Sequence, residues 1–287
     1  MNAVQLISLA IQVSMATIVF CVALNASVQD VLSLLRRPGL LARSLLAMNV
    51  IMPVIAATLA ATFGFYRALE IALIALAVSP IPPVLPSKEY KAGGTASYVV
   101  GLLAISALAS IVFVPVALEV LGRAFARPAH MPMGSVAWVV ATSVLAPLAA
   151  GFLVRRLAPS VADRVARPLS IAGTAILVLA FLPVLVMSWR ALLAQIGDFT
   201  LVAITVFVVA GLAVGHLLGG PVPDDRTVLA LSTATRHPGV AIAIAHFNAP
   251  DDHSIAAAIL LAFIVGAILS VPYVKWRARR HALGGVR

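Results

Sequence analysis

Residues 226–248 read RTVLALSTATRHPGVAIAIAHFN. An apolar run begins at Thr227, is interrupted by Arg236-His237-Pro238-Gly239, and resumes as VAIAIAHF. At about 1.5 Å per helical residue the stretch matches the roughly 30 Å thickness of a hydrocarbon core, which sets the interruption near the midplane. Proline removes a backbone donor and glycine weakens the turn beside it. An arginine at that depth costs about 2.5–3.5 kcal/mol on insertion scales, and such residues face a cavity or a partner. The stretch predicts a membrane-spanning helix broken at its centre.

Composition agrees. Of 287 residues, 62% are hydrophobic and 10% charged, and the mean hydropathy is +1.08. That balance belongs to an α-helical protein with many membrane spans. Long apolar runs, rather than short alternating segments, exclude a transmembrane β-barrel. The net charge of +10 lies between apolar runs, so it reads as membrane orientation and not as nucleic-acid binding. Cys21 is the single cysteine, which excludes an internal disulfide or a cysteine-rich metal site.

Nine spans are expected, near 4–26, 40–63, 68–103, 104–121, 135–153, 168–189, 196–218, 227–248 and 255–274. The third is too long for one straight helix. Its middle, SPIPPVLPSKEYKAGGT (79–95), holds four prolines and two glycines, so it reads as helix, crossover and second short helix. With the N-terminus outside, the inner ends and loops collect Arg36, Arg37, Arg43, Arg155, Arg156, Arg164, Arg167, Arg226, Lys275, Arg277, Arg279, Arg280 and Arg287. The outer ones hold only Arg67, Arg123, Arg127 and Arg190. This is a positive-inside bias, which places the C-terminus in the cytoplasm. A break in each half suggests inverted repeats, 1–121 and 135–274, whose broken helices meet at the midplane as alternating access requires.

Arg236 and His237 are the first candidate site residues. The arginine fork suits a carboxylate, sulfate or phosphate, although such a residue can also serve structure alone by capping helix carbonyls. His237 is a candidate proton carrier, or simply the partner of a carbonyl freed by Pro238. The second cluster is Lys88-Glu89-Tyr90-Lys91 followed by Gly93, Gly94, Thr95, Ala96, Ser97 and Tyr98. It is either a solvated inner loop or a glycine-lined anion approach at a half-helix N-terminus. Ser232, Thr235, Gly239 and Asn49 are further lining candidates, and Glu89, His237 and Ser110 are coupling candidates. Asp224 and Asp225 read as solvated or helix-capping. No spacing supports a metal site, and no motif implies a cofactor.

The chain resembles the bile acid:sodium symporter family through LLRRPG (34–39), MNVIMPVIAATLA (48–60), AGGTASYVV (92–100) and RTVLALSTATRHPGVAIAIAHF (226–247). The resemblance implies a secondary transporter of organic anions, with a panel (here 4–63 and 135–189) and a core (68–121 and 196–274) carrying two crossing broken helices. The family's second-break pattern, E-x-x-x-Q-N-x-G, falls on Ser232, Arg236, His237 and Gly239. A serine–asparagine pair at the first break falls on Ser97-Tyr98, and a glutamine in the second span falls on Met48, beside Asn49. The acidic and amide sodium ligands are thus replaced by a hydroxyl and a cation, and residues 81–91 read as an insertion. An arginine there repels sodium.

The expectation is an all-α polytopic membrane protein of about nine transmembrane helices in the inner (plasma) membrane. It would move a small organic anion, either a carboxylate or a bile-acid-like molecule, by alternating access. Arg236 would contact the substrate or stand in for sodium, with Na+ or H+ the candidate coupling ion. The alternative is a membrane-embedded anion receptor that does not transport. An enzyme would need a nucleophile with its base, or clustered metal ligands, on the spans, and the sequence offers none.

Overall fold

The computed structural model describes residues 3–126, 129–197 and 199–284. Arg127, one of the expected outer cations, and Arg287, one of the inner, lie outside the described residues. Among the described residues the chain is helical with no strand. In order it forms α1 (Ala3–Leu24), α2 (Val28–Leu35), α3 (Pro38–Leu45), a π turn (Leu46–Ile51), α4 (Met52–Phe63), α5 (Arg67–Val78) and α6 (Pro86–Lys91). There follow α7 (Ala96–Ala124), α8 (Met133–Val140), a second π turn (Ala141–Leu145), α9 (Ala146–Leu157) and α10 (Pro159–Ala194). The chain closes with α11 (Thr200–Leu218), α12 (Pro223–Ala234), α13 (Pro238–Asn248) and α14 (His253–Gly284).

Eight helical segments among the described residues are long and apolar enough to cross a membrane. The expected boundary between 103 and 104 does not exist: α7 runs unbroken from Ala96 to Ala124, because nothing between those positions removes a backbone donor until Pro115. The remaining element of the expected nine is the pair α5 and α6, of 12 and 6 residues, each too short to cross alone. The interruption at 79–85 therefore lies earlier than the glycines. Residues 81–91 complete that element, and Gly93-Gly94 make the turn into α7.

Prolines explain both the breaks and the π turns. In an α-helix the carbonyls of Val78 and Ser79 would accept from residues 82 and 83, which are prolines without an N–H. The helix stops there. Pro238 likewise deletes the donor for Ala234, and α12 ends at that residue. In the first π turn the Met52 N–H donates to Ala47, five residues back. The next donor in that pattern would be Pro53, so the Met48 carbonyl is left without a partner in its own helix.

Packing divides between the ends of the chain. α1 lies against α9 and α10, whereas α13 and α14 pack on α5 and α11 packs on α12 and α14. The largest buried cluster joins Leu69, Leu73 and Ile81 of the first broken element to Val228, Leu231 and Val240 of the second. α10 stays largely uncovered, with Val178, Leu179, Leu182 and Val186 exposed, as befits a helix facing lipid.

Candidate functional site

The two interruptions cross. His237 donates its backbone N–H to the Pro80 carbonyl at 2.9 Å. Arg236, only 3% exposed, donates from Nη1 to the Ser79 carbonyl at 3.2 Å and from Nη2 to the Met48 carbonyl at 2.6 Å. These acceptors are the carbonyls that Pro83 and Pro53 leave without helical donors. The guanidinium also sits just beyond the C-terminal ends of α5 and α12, where aligned peptide dipoles present partial negative charge. No carboxylate lies within ion-pairing distance of it among the described residues. Backbone carbonyls thus carry this charge, as they carry a bound cation in unwound transporter helices.

His237 is 2% exposed and caps α13. Its Nδ1 accepts from the Gly239 and Val240 N–H groups at 3.1 and 3.4 Å. An accepting Nδ1 assigns the proton of a neutral ring to Nε2. That Nε2 and the Nε of Arg236 are both buried and without hydrogen-bond partners. Two neighbouring residues at the crossing therefore each hold an unsatisfied donor, a costly state in a dry interior. Arg236 also borders a cavity of about 20 Å³, shared with Leu76, Phe207, Thr235 and Phe263, which is room for one water.

Ser232, in the last turn of α12, donates to Glu89 Oε1 at 2.6 Å, and Glu89 is 1% exposed. The structure thus brings Glu89 of α6 to the second broken element and excludes it from a solvated loop. The other members of that cluster lie elsewhere. A Cβ on Gly93 would collide with His281, and one on Gly94 would meet Val228 and the Glu89 carbonyl. Gly93 and Gly94 thus belong to a turn packed on α14 and α12, with Thr95 next in the chain. Ser97, in the first turn of α7, is half-buried, and Tyr98 is buried with its hydroxyl 2.7 Å from Ser44 Oγ.

Thr235 is half-buried at the break and Gly239 is exposed at the start of α13. Asn49 is half-buried in the first π turn, next to the Met48 carbonyl that Arg236 uses. Ser110 donates to the Ala107 carbonyl of its own helix at 2.7 Å, an ordinary use of a serine in a span.

Two features carry no signal in the sequence. Asp225 is not solvated: it is 1% exposed and pairs with Arg37 Nη2 at 2.5 Å. A cavity of about 100 Å³ opens between α4, α5, α7 and α13, with Arg67, Glu70 and Asn248 among apolar walls that include Ile71, Leu118 and Ile244. Arg67 read as an ordinary outer-end cation, because its cavity is assembled from helices far apart in the chain.

A profile described as the Sodium Bile acid symporter family matches residues 12–196. No curated protein matches the chain. The matched region runs from α1 through α10 and contains the first broken element, whereas the second lies beyond it. Most of the chain is covered, its helices are those of a polytopic membrane protein, and it belongs to the sodium bile acid symporter family.

Proposed function

We propose that the protein moves a small organic anion across the inner membrane by alternating access, with Arg236 taking the place of a bound sodium ion. The observation carrying this reading is the uncompensated, carbonyl-held guanidinium beside two unpartnered donors, Arg236 Nε and His237 Nε2. A fixed positive charge at the crossing favours an anion and disfavours sodium. The two free donors are what a carboxylate needs once the crossing opens to it.

Size favours a small substrate over a bile acid. The cavity that Arg236 borders holds about 20 Å³, far below the roughly 300–1,000 Å³ of sites for larger organic ligands. The orientation that best fits the basic residues puts the N-terminus outside and the C-terminus in the cytoplasm. The cavity beside Arg67 then opens outward.

The test is uptake of labelled acetate, pyruvate and cholate into sealed vesicles carrying the purified protein, in sodium and in choline buffer. The reading expects entry of a small carboxylate at equal rates in both. Entry only with sodium removes the surrogate role of Arg236. Binding without entry turns the protein into an anion receptor.

A further inference from the structure

We propose a second anion site, unrelated to the crossing and independent of the transport reading, at the end of the bundle where α11, α12 and α14 meet. It would take a phosphate-bearing anion at the level of the lipid headgroups, and the observations favour the phosphodiester of an anionic lipid.

A cavity of about 630 Å³ lies there. Three guanidiniums line it, those of Arg226, Arg277 and Arg280, against one carboxylate, Asp224. Two of the cations are fixed by the backbone. Arg226 Nε donates to the Gly220 carbonyl at 2.6 Å. Arg277 Nε donates to Thr227 Oγ1 and its Nη2 to the Pro223 carbonyl, both at 2.7 Å. Carbonyls and a hydroxyl orient these groups, and of the two only Arg277 has a carboxylate within ion-pairing distance among the described residues. Asp224 is already engaged, 3.7 Å from Arg277 and 3.2 Å from His281 Nδ1. Arg280 is exposed and makes no hydrogen bond or ion pair with another described residue. A fourth cation adds to the field: a Cβ on Gly220, whose φ is +86°, would come within 3.1 Å of Arg43 Nη2.

His216 and Trp276 also line the cavity, and Tyr273 joins them in an aromatic cluster. The rings of His216, Tyr273 and Trp276 lie 5.6–5.8 Å apart in pairs, the His216 Nδ1 is 2.8 Å from the Tyr273 hydroxyl, and the Arg277 guanidinium lies 5.4 Å from the Trp276 ring. Trp276 is nonetheless 45% exposed. Tyrosine and tryptophan at the end of an apolar segment mark the headgroup level. The apolar run of α14 gives way here to Lys275, Arg277, Arg279 and Arg280. A basic pocket between helices at that depth is built for an anionic headgroup. The guanidinium forks match phosphate oxygens, and Trp276 offers a surface to the glycerol and first acyl carbons.

The test uses the full-length protein in mild detergent, with dioleoyl phosphatidylglycerol, dioleoyl phosphatidylcholine or inorganic phosphate as probes. Native mass spectrometry reads retained lipid, and a thermal shift reads stabilisation. Arg280→Glu is the site variant, since its side chain supports no other described residue. Arg279→Glu makes the same charge change on an exposed neighbour that does not line the cavity. The proposal expects phosphatidylglycerol to bind the wild type, to bind Arg280→Glu at least about tenfold more weakly, and to bind Arg279→Glu nearly as well as wild type. Trp276→Ala should weaken the lipid but leave any phosphate effect intact. Stabilisation by phosphate alone, lost in Arg280→Glu, would keep the anion site and reject the lipid as its source. Equal losses in both charge variants, equal binding of phosphatidylcholine, or no binding of either anion would overturn the proposal.

Discussion

The backbone N–H of His237 and the carbonyl of Pro80 meet at 2.9 Å, and this bond fastens one broken helix across the other. Neither group has a place in a regular helix. Pro80 follows the end of α5, and His237 precedes the first turn of α13. Between them the crossing collects several carbonyls whose helical donors have been replaced by proline, and Arg236 supplies part of what is missing. The residue that costs most to bury is therefore held by the groups that most need a donor.

Pro53 leaves the Met48 carbonyl free for Arg236. The variant Pro53→Ala restores a backbone donor five residues on, in the pattern already used by Met52. Amide exchange at residue 53 should then be slow, and apparent stability should fall by about 1.5–3 kcal/mol, the worth of a hydrogen bond to a charged group. Unchanged stability with a protected amide would mean that the Met48 carbonyl is not dedicated to Arg236.

His237 combines a helix cap with an unpartnered Nε2 donor, and two substitutions separate these. His237→Asn keeps an acceptor for the first N–H groups of α13, so its melting temperature should stay near wild type. His237→Ala should lose about 1 kcal/mol. Both should weaken carboxylate binding several-fold in a thermal-shift titration. Full affinity in His237→Asn would restrict this residue to capping.

Glu89 and Ser232 tie α6 to α12. Ser232→Ala leaves Glu89 Oε1 without its donor and should cost about 1.5–3 kcal/mol in denaturant unfolding. Glu89→Gln keeps an acceptor for Ser232 and should fold normally. If Glu89 carries a proton during transport, uptake by Glu89→Gln will lose its dependence on a pH gradient. Retention of that dependence would leave Glu89 a structural group.

Arg37 neutralises Asp225, which is 1% exposed and has one oxygen without a partner. Arg37→Ala strands that charge and should destabilise by about 3 kcal/mol, at the low end for a broken buried pair because the Arg37 side chain is 42% exposed. The double variant Arg37→Ala with Asp225→Asn should recover most of the loss, as measured by thermal unfolding. No recovery would show that Arg37 acts through something other than this pair.

The apolar runs and the placement of Arg236 made the membrane fold and the second break legible from the chain alone. The first break was harder to locate. It read as one crossover over 79–95, whereas the helix fails where consecutive carbonyls lose their donors, at Pro82 and Pro83, and resumes as α6 before the glycines. Glu89 was legible as a coupling candidate but not as a buried one, since only its meeting with Ser232, on a helix 143 positions away, removes it from water. The same holds for Asp225, whose partner lies 188 positions away. Motif and periodicity report what a segment wants locally, and these pairings are set by helix crossing. The carbonyl grip on Arg236 joins three segments and follows from proline positions that could be read in advance, though their convergence could not.

The proposal puts Arg236 in the place of a sodium ion. Its most direct test is thermal stabilisation of the purified protein by acetate, pyruvate and cholate, each in sodium and in choline, for wild type, Arg236→Gln and Arg236→Lys. Ligand that binds the folded state raises apparent stability by mass action. The expected result is stabilisation of the wild type by a small carboxylate, equal in both cations, absent in Arg236→Gln and partly kept in Arg236→Lys. Stabilisation that requires sodium in the wild type, or that survives intact in Arg236→Gln, would contradict it.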